Sequence, residues 1–85
     1  MVDNRVLALN EINTERNNQE AKWGEQHHEE VTWYVILGEE FGEIGKAINE
    51  KRLEKGTAKE IKKEIIQTAA VCVAWLENII EREGI

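Results

Sequence analysis

Four side chains carry most of the chemistry this sequence offers: Glu40 and Glu43, one helical turn apart, and Glu64 with Gln67 three residues on. Oxygen donors at i, i+3 spacing share one face of a helix, and all-oxygen donor sets suit hard divalent cations, Mg²⁺ or Mn²⁺ among them. Both pairs lie among apolar residues. On a wheel at about 100° per residue with Ile36 at the origin, Trp33, Leu37, Phe41, Ile44 and Ile48 span an arc from about 60° to about 140°. Glu40 falls at about 40°, at the edge of that arc, and Glu43 at about −20°, beside Ile36 and Ala47. On a second wheel starting at Ile61, Glu64 falls at about −60°, between Val71 and Trp75. Charge drawn toward a core is costly unless it is paired or bound to metal. Two partners compete for it: Lys46, Arg52 and Lys63 reaching inward, or a divalent cation on which the two pairs converge.

Other chemistries lack their residues. There is no GxxxxGK[ST] phosphate loop and no Ser/His/Asp constellation. The single Cys72 stands in an apolar run and reads as a small core residue in a reducing compartment. His27 and His28 are neighbours, so they point apart, and a hydrogen-bonded or solvated role suits them better than a metal pair.

The elements that must position these groups are helices. The chain has no proline, is rich in Glu, Lys, Ala, Leu and Ile, and shows no alternating strand pattern, which predicts an all-α single domain over residues 1–85. A first helix is expected over residues 3–22 with Asp3 as N-cap, then a connector over residues 23–28 in which Gly24 ends the helix. The second is expected over residues 30–54, stopped by Lys55-Gly56. Thr57-Ala58-Lys59-Glu60 has capping-box spacing and should open a third helix that runs to Glu83 before Gly84. Gly38, Gly42 and Gly45 cluster on the far side of the second helix, which predicts a close helix neighbour there and makes that helix the central one. The third is apolar almost all round over residues 65–76, as a helix buried in a core or an interface would be.

With 85 residues and 41% hydrophobic content, the chain should hold only a marginal core of its own. One cysteine closes no disulfide, and no Cys/His cluster supplies zinc, so homo-oligomerisation is the expected remedy. The net charge of −6 disfavours nucleic-acid polymers, whose binders cluster Lys and Arg. No run approaches the roughly 18 apolar residues of a membrane span, and Met1-Val2-Asp3-Asn4-Arg5 lacks the apolar core of a leader. The expectation is a soluble cytoplasmic protein with no membrane partner.

The run Glu39-Glu40-Phe41-Gly42-Glu43-Ile44 resembles the EExGE signature of the MazG-like, all-α nucleoside triphosphate pyrophosphohydrolases. Lys22-Trp23-Gly24-Glu25-Gln26-His27-His28, with Trp33 and Ile36-Leu37, resembles the approach to that helix in short, phage-type members. Glu64-Ile65-Ile66-Gln67-Thr68-Ala69-Ala70-Val71, with Ala74-Trp75, is similar to the second motif. The resemblance spans residues 15–80. It implies a three-helix chain whose bundle is completed as a homodimer or a tetramer built from two dimers, Mg²⁺ held by ExxE and ExxD motifs, and cleavage of an NTP or dNTP to its monophosphate and pyrophosphate. It places Glu40, Glu43, Glu64 and Gln67 on the metal, with Gln67 where the family has Asp, so one formal charge is lost. Glu39 becomes an outer ligand or water-orienting base beside Glu40 and Glu43. Lys22, with Arg16 and Lys46 as alternatives, would face the triphosphate, and Trp23, His28 and Trp33 the base and sugar, although Trp33 also continues the apolar stripe. The rival is a non-catalytic helical module that kept the bundle and binds nucleotide or a protein partner.

Overall fold

The computed structural model describes residues 3–85; Met1 and Val2, the start of the stretch read for a leader, lie outside the described residues. Three helices form: α1 (Asn4–Trp23), α2 (Glu30–Arg52) and α3 (Ala58–Glu83), with no strand among the described residues. None is long and apolar enough to cross a membrane.

Local chemistry sets most helix ends where the sequence places them. The Asp3 carboxylate accepts the Arg5 N–H at 2.7 Å, satisfying one of the free donors of the first turn of α1. Gly24 stops α1 at φ +76°, a conformation that strains any residue with a Cβ, while its N–H donates to the Glu20 carbonyl. Gly84 ends α3 in the left-handed region. Two details differ from expectation. Helix α2 stops at Arg52 rather than at residue 54, because Glu54 itself turns left-handed at φ +60° and Lys55 N–H returns to the Glu50 carbonyl. Thr57 is the N-cap of α3, but its hydroxyl makes no capping bond; its carbonyl accepts the Glu60 and Ile61 N–H groups instead.

The larger correction concerns the centre of the fold. Helix α3 packs against both α1 and α2, and the backbones of α1 and α2 stay apart. The near-continuous apolar girth of α3 gives it two faces to bury, whereas the glycine face of α2 remains open: a Cβ at Gly38, Gly42 or Gly45 would meet nothing within 4 Å. The hydrophobic core inside the chain is correspondingly small, comprising Trp33, Ala47, Ala70 and Val71. Phe41 and Leu76, which the wheels place on apolar stripes, are 70% and 58% exposed, and Cys72 is half-buried. The result is a flat body of 45 × 36 × 22 Å. It exposes 6577 Å², against roughly 5,200 Å² for a compact monomer of this mass.

One buried polar residue ties the layer together. Asn78 of α3 accepts the Trp33 indole N–H at 2.9 Å and the His28 backbone N–H at 3.1 Å on its Oδ1. Both donors are obligatory, so the amide orientation is fixed, and Nδ2 must donate to Nδ1 of His27, 3.2 Å away. The connector, α2 and α3 are therefore joined through one side chain. Asn78→Ala strands the buried Trp33 N–H and should cost about 2 kcal/mol in urea unfolding; a loss within error of zero would show that water replaces the bond.

Candidate functional site

Glu40 lies where all three helices line common space. It borders a cavity of about 300 Å³ formed with Gln19 and Trp23 of α1, Trp33 and Ile36 of α2 and Val71 and Ala74 of α3. It also borders an adjoining cavity of about 340 Å³ with Glu15, Gln19, Lys22, Trp23 and Gln67. Glu40, Glu64 and Gln67 are half-buried; Glu39 and Glu43 are exposed. Burial pushes the Glu40 carboxyl above its ordinary value, and repulsion from Glu64, Glu43, Glu15 and Glu39 adds to the shift.

The pairs predicted from separate wheels therefore do share one neighbourhood, and α1 adds Glu15 to it. Glu15 accepts Gln19 Nε2 at 3.3 Å, and the same amide nitrogen donates to the Gln67 carbonyl at 3.3 Å, stitching α1 to the site face of α3. Glu15 escaped the sequence reading because it stands in a polar run, Asn13 to Asn18, with no apolar neighbours to mark it as drawn inward.

No lysine or arginine neutralises this group. Among the described residues the ion pairs are made elsewhere: Arg16 grips Glu77, Lys62 meets Glu11 and Arg82 meets Glu30. Arg52 donates to Asn49, and neither Lys46 nor Lys63 forms an ion pair. The counter-ion alternative thus lacks its contacts. The oxygen donors suit a hard cation, although Glu40, Glu43 and Glu64 do not bring three ligand atoms within 4.8 Å of one another, as expected of like charges that repel.

Among the described residues, the one group meeting that spacing is Glu25, His27 and Glu81, all exposed. It is a poor metal centre. The Asn78 amide donates to Nδ1 of His27, so Nε2 carries the proton and faces Glu25 at 3.4 Å. A metal on Nε2 would need the proton on Nδ1, against that amide.

The ring candidates divide by burial. Trp23 is 60% exposed at the mouth of the first cavity, with the Lys22 ammonium 4.7 Å from its ring centre. Trp33 is 2% exposed and borders the same cavity from the core side. His28 packs edge-on against Trp33, with ring centres 4.9 Å apart, and lines neither cavity bordered by Glu40. Arg16 lines the first cavity, but Glu77 holds its guanidinium.

No protein-family model, curated protein or solved structure matches the chain.

The Glu40 shift has a sign that can be tested. A carboxyl whose folded value is raised contributes stability below its ordinary value, and that contribution is lost as pH rises through the raised value. Glu40→Gln should therefore raise Tm at about pH 7 and change it less at about pH 4. A Tm difference that does not vary with pH would place Glu40 outside the charged cluster.

Proposed function

We propose that the chain is a Mg²⁺-dependent nucleoside triphosphate pyrophosphohydrolase of the MazG-like kind, working as a homodimer or a tetramer built from two dimers. The observation that carries this reading is the half-buried Glu40, crowded by Glu15, Glu43 and Glu64 with no basic partner and bordering a cavity walled by two indoles. Glu40, Glu43, Glu64 and the Gln67 amide oxygen would hold the metal, and Glu15 restores the fourth formal charge that Gln67 omits. Bound Mg²⁺ supplies neutralisation of the charge that develops on phosphate oxygens.

The chain's residues do the rest. Trp23 stacks on the base at the cavity mouth and excludes water from one of its faces. Lys22 stands beside it over the central cavity, as the cation nearest the α-phosphate. Glu39, exposed next to Glu40, orients the attacking water and takes its proton. The water oxygen bonds to the α-phosphorus as the bond to the α–β bridging oxygen breaks; pyrophosphate leaves with that electron pair, giving a nucleoside monophosphate and a released proton. Wild-type protein with Mg²⁺ should release pyrophosphate from at least one NTP or dNTP in a panel, and Glu40→Gln should lower kcat on the order of 100-fold or more. Release from none, or an unchanged rate in the variant, overturns the assignment.

Surface area supports a second copy. The chain exposes roughly 1,400 Å² more than a compact monomer of its mass, which is within the range one partner gives up in an obligate dimer. Large apolar side chains fill the open side of α2 and α3: Phe41, Ile48, Ile65, Leu76 and Ile80 are each at least half exposed or close to it. Wild-type protein should sediment at twice the 9.8 kDa protomer mass or a multiple of that dimer. Phe41→Lys, which removes nothing from the chain's own core, should shift it toward monomer; a monomeric wild type rules the assembly out.

A further inference from the structure

The space around Glu40 does not end at the carboxylates. The cavity walled by Trp23 and Trp33 shares Gln19, Trp23 and Glu40 with the central one, and the central one shares Glu15, Asn18 and Gln67 with a third, of about 450 Å³. The three adjoin one another as a segmented groove along α1. At the far end of this groove stand Lys59, Lys62 and Lys63, from the first two turns of α3, facing Leu7 and Glu11 of α1. Lys62 is bound to Glu11 at 3.0 Å, but Lys59 and Lys63 form no ion pair among the described residues. They stand four residues apart, so they share a helix face.

We propose that this lysine end is the subsite for the two terminal phosphates of the substrate, and so for pyrophosphate as it leaves. The inference rests on the reading of the Glu40 centre given above and fixes the direction in which a nucleotide lies. Two free ammonium groups sit at one end of the groove. At the other, the one guanidinium is occupied by Glu77, the single Lys22 ammonium lies against the Trp23 ring, and flat rings form the walls. Polyphosphate carries the densest charge of the substrate and needs cations that are not already paired, most of all beside Glu15. The base therefore lies toward Trp23, the α-phosphate beside Glu40, and the β- and γ-phosphates between Lys59 and Lys63. Both lysines are exposed and begin a helix, where the macrodipole also favours anions.

The probe is inorganic pyrophosphate titrated calorimetrically with Mg²⁺ into the whole protein and into Lys59→Gln/Lys63→Gln. Nucleoside monophosphate serves as the second ligand, and circular dichroism as the check on folding. Pyrophosphate should bind the wild type and weaken about tenfold in the double variant, with monophosphate binding unchanged; in turnover KM for triphosphate should rise by a similar factor with kcat little altered. Pyrophosphate binding equal in both proteins, or absent from the wild type, overturns the subsite. The two readings fail separately. A wild type that hydrolyses triphosphate with a KM the lysine variant leaves unchanged keeps the enzyme and loses the subsite. A wild type that hydrolyses nothing yet binds pyrophosphate through these lysines does the reverse.

Discussion

The third helix has to satisfy two neighbours whose backbones stay apart. Helices α1 and α2 both pack on α3 without close backbone approach to each other, so the spacing of Glu15 on α1 and Glu40 on α2 is set through α3, although their charges act on each other directly. Small residues make this possible: Ala70 is fully buried, and Ala74 lines the site cavity. Where α3 uses polar groups toward its neighbours, each is satisfied. Asn78 bonds through both ends of its amide to Trp33 and the connector, the Gln67 backbone carbonyl takes an amide from α1, and Trp75 donates to Glu30. No buried side-chain nitrogen or oxygen among the described residues is left without a partner. Against that background the crowding of carboxylates at Glu40 stands out, since it is the place where charge is drawn inward and not compensated by the chain.

Burial and like charge act on Glu40 in the same direction. Such an arrangement lowers stability at neutral pH, and natural sequences retain it chiefly where the charge is used. Its position also matters: the carboxylates lie between an aromatic cavity and a pair of unpaired lysines, along a row of adjoining cavities. An acidic patch that served only solubility would have no reason to sit where all three helices line common space.

Much of this was legible from single helices. The wheels placed Glu40 and Glu64 at the margins of apolar stripes, and Asp3, Gly24 and Gly84 mark their helix ends by side-chain or backbone chemistry that acts within a turn. What a wheel cannot give is the choice of neighbour. The glycines of α2 suggest close approach, yet inside the chain the helix meets α3 through Trp33 and Ala47 and leaves Gly38, Gly42 and Gly45 open. Glu15 was invisible for the same reason, because its role depends on which face of a polar helix meets α3. The Asn78 signal was present, since a polar residue interrupts an apolar helix close to the angle of Val71, but only the contact with Trp33 gives it meaning. The early end of α2 depends on Glu54 turning left-handed, a choice a non-glycine residue seldom makes.

The two surfaces of the layer divide the work. Taking Ile61 as the origin of α3, Gln67 and Glu64 point to about 240° and about 300°, whereas Ile65, Leu76 and Ile80 point to about 40°, 60° and 100°. The site side and the open apolar side of α3 are therefore close to opposite. Helix α2 repeats the division, with Glu43 on one flank and Phe41 and Ile48 on the other. A second copy seated on the apolar side would cover exposed hydrophobes without obstructing the groove, and would press on α2 from behind Glu40. Stiffening α2 in this way would hold Glu40 and Glu43 against their mutual repulsion, a constraint the small core of one chain supplies only weakly. In such an assembly the interface and the charged site would depend on each other: the apolar face provides the stability that the crowded carboxylates consume.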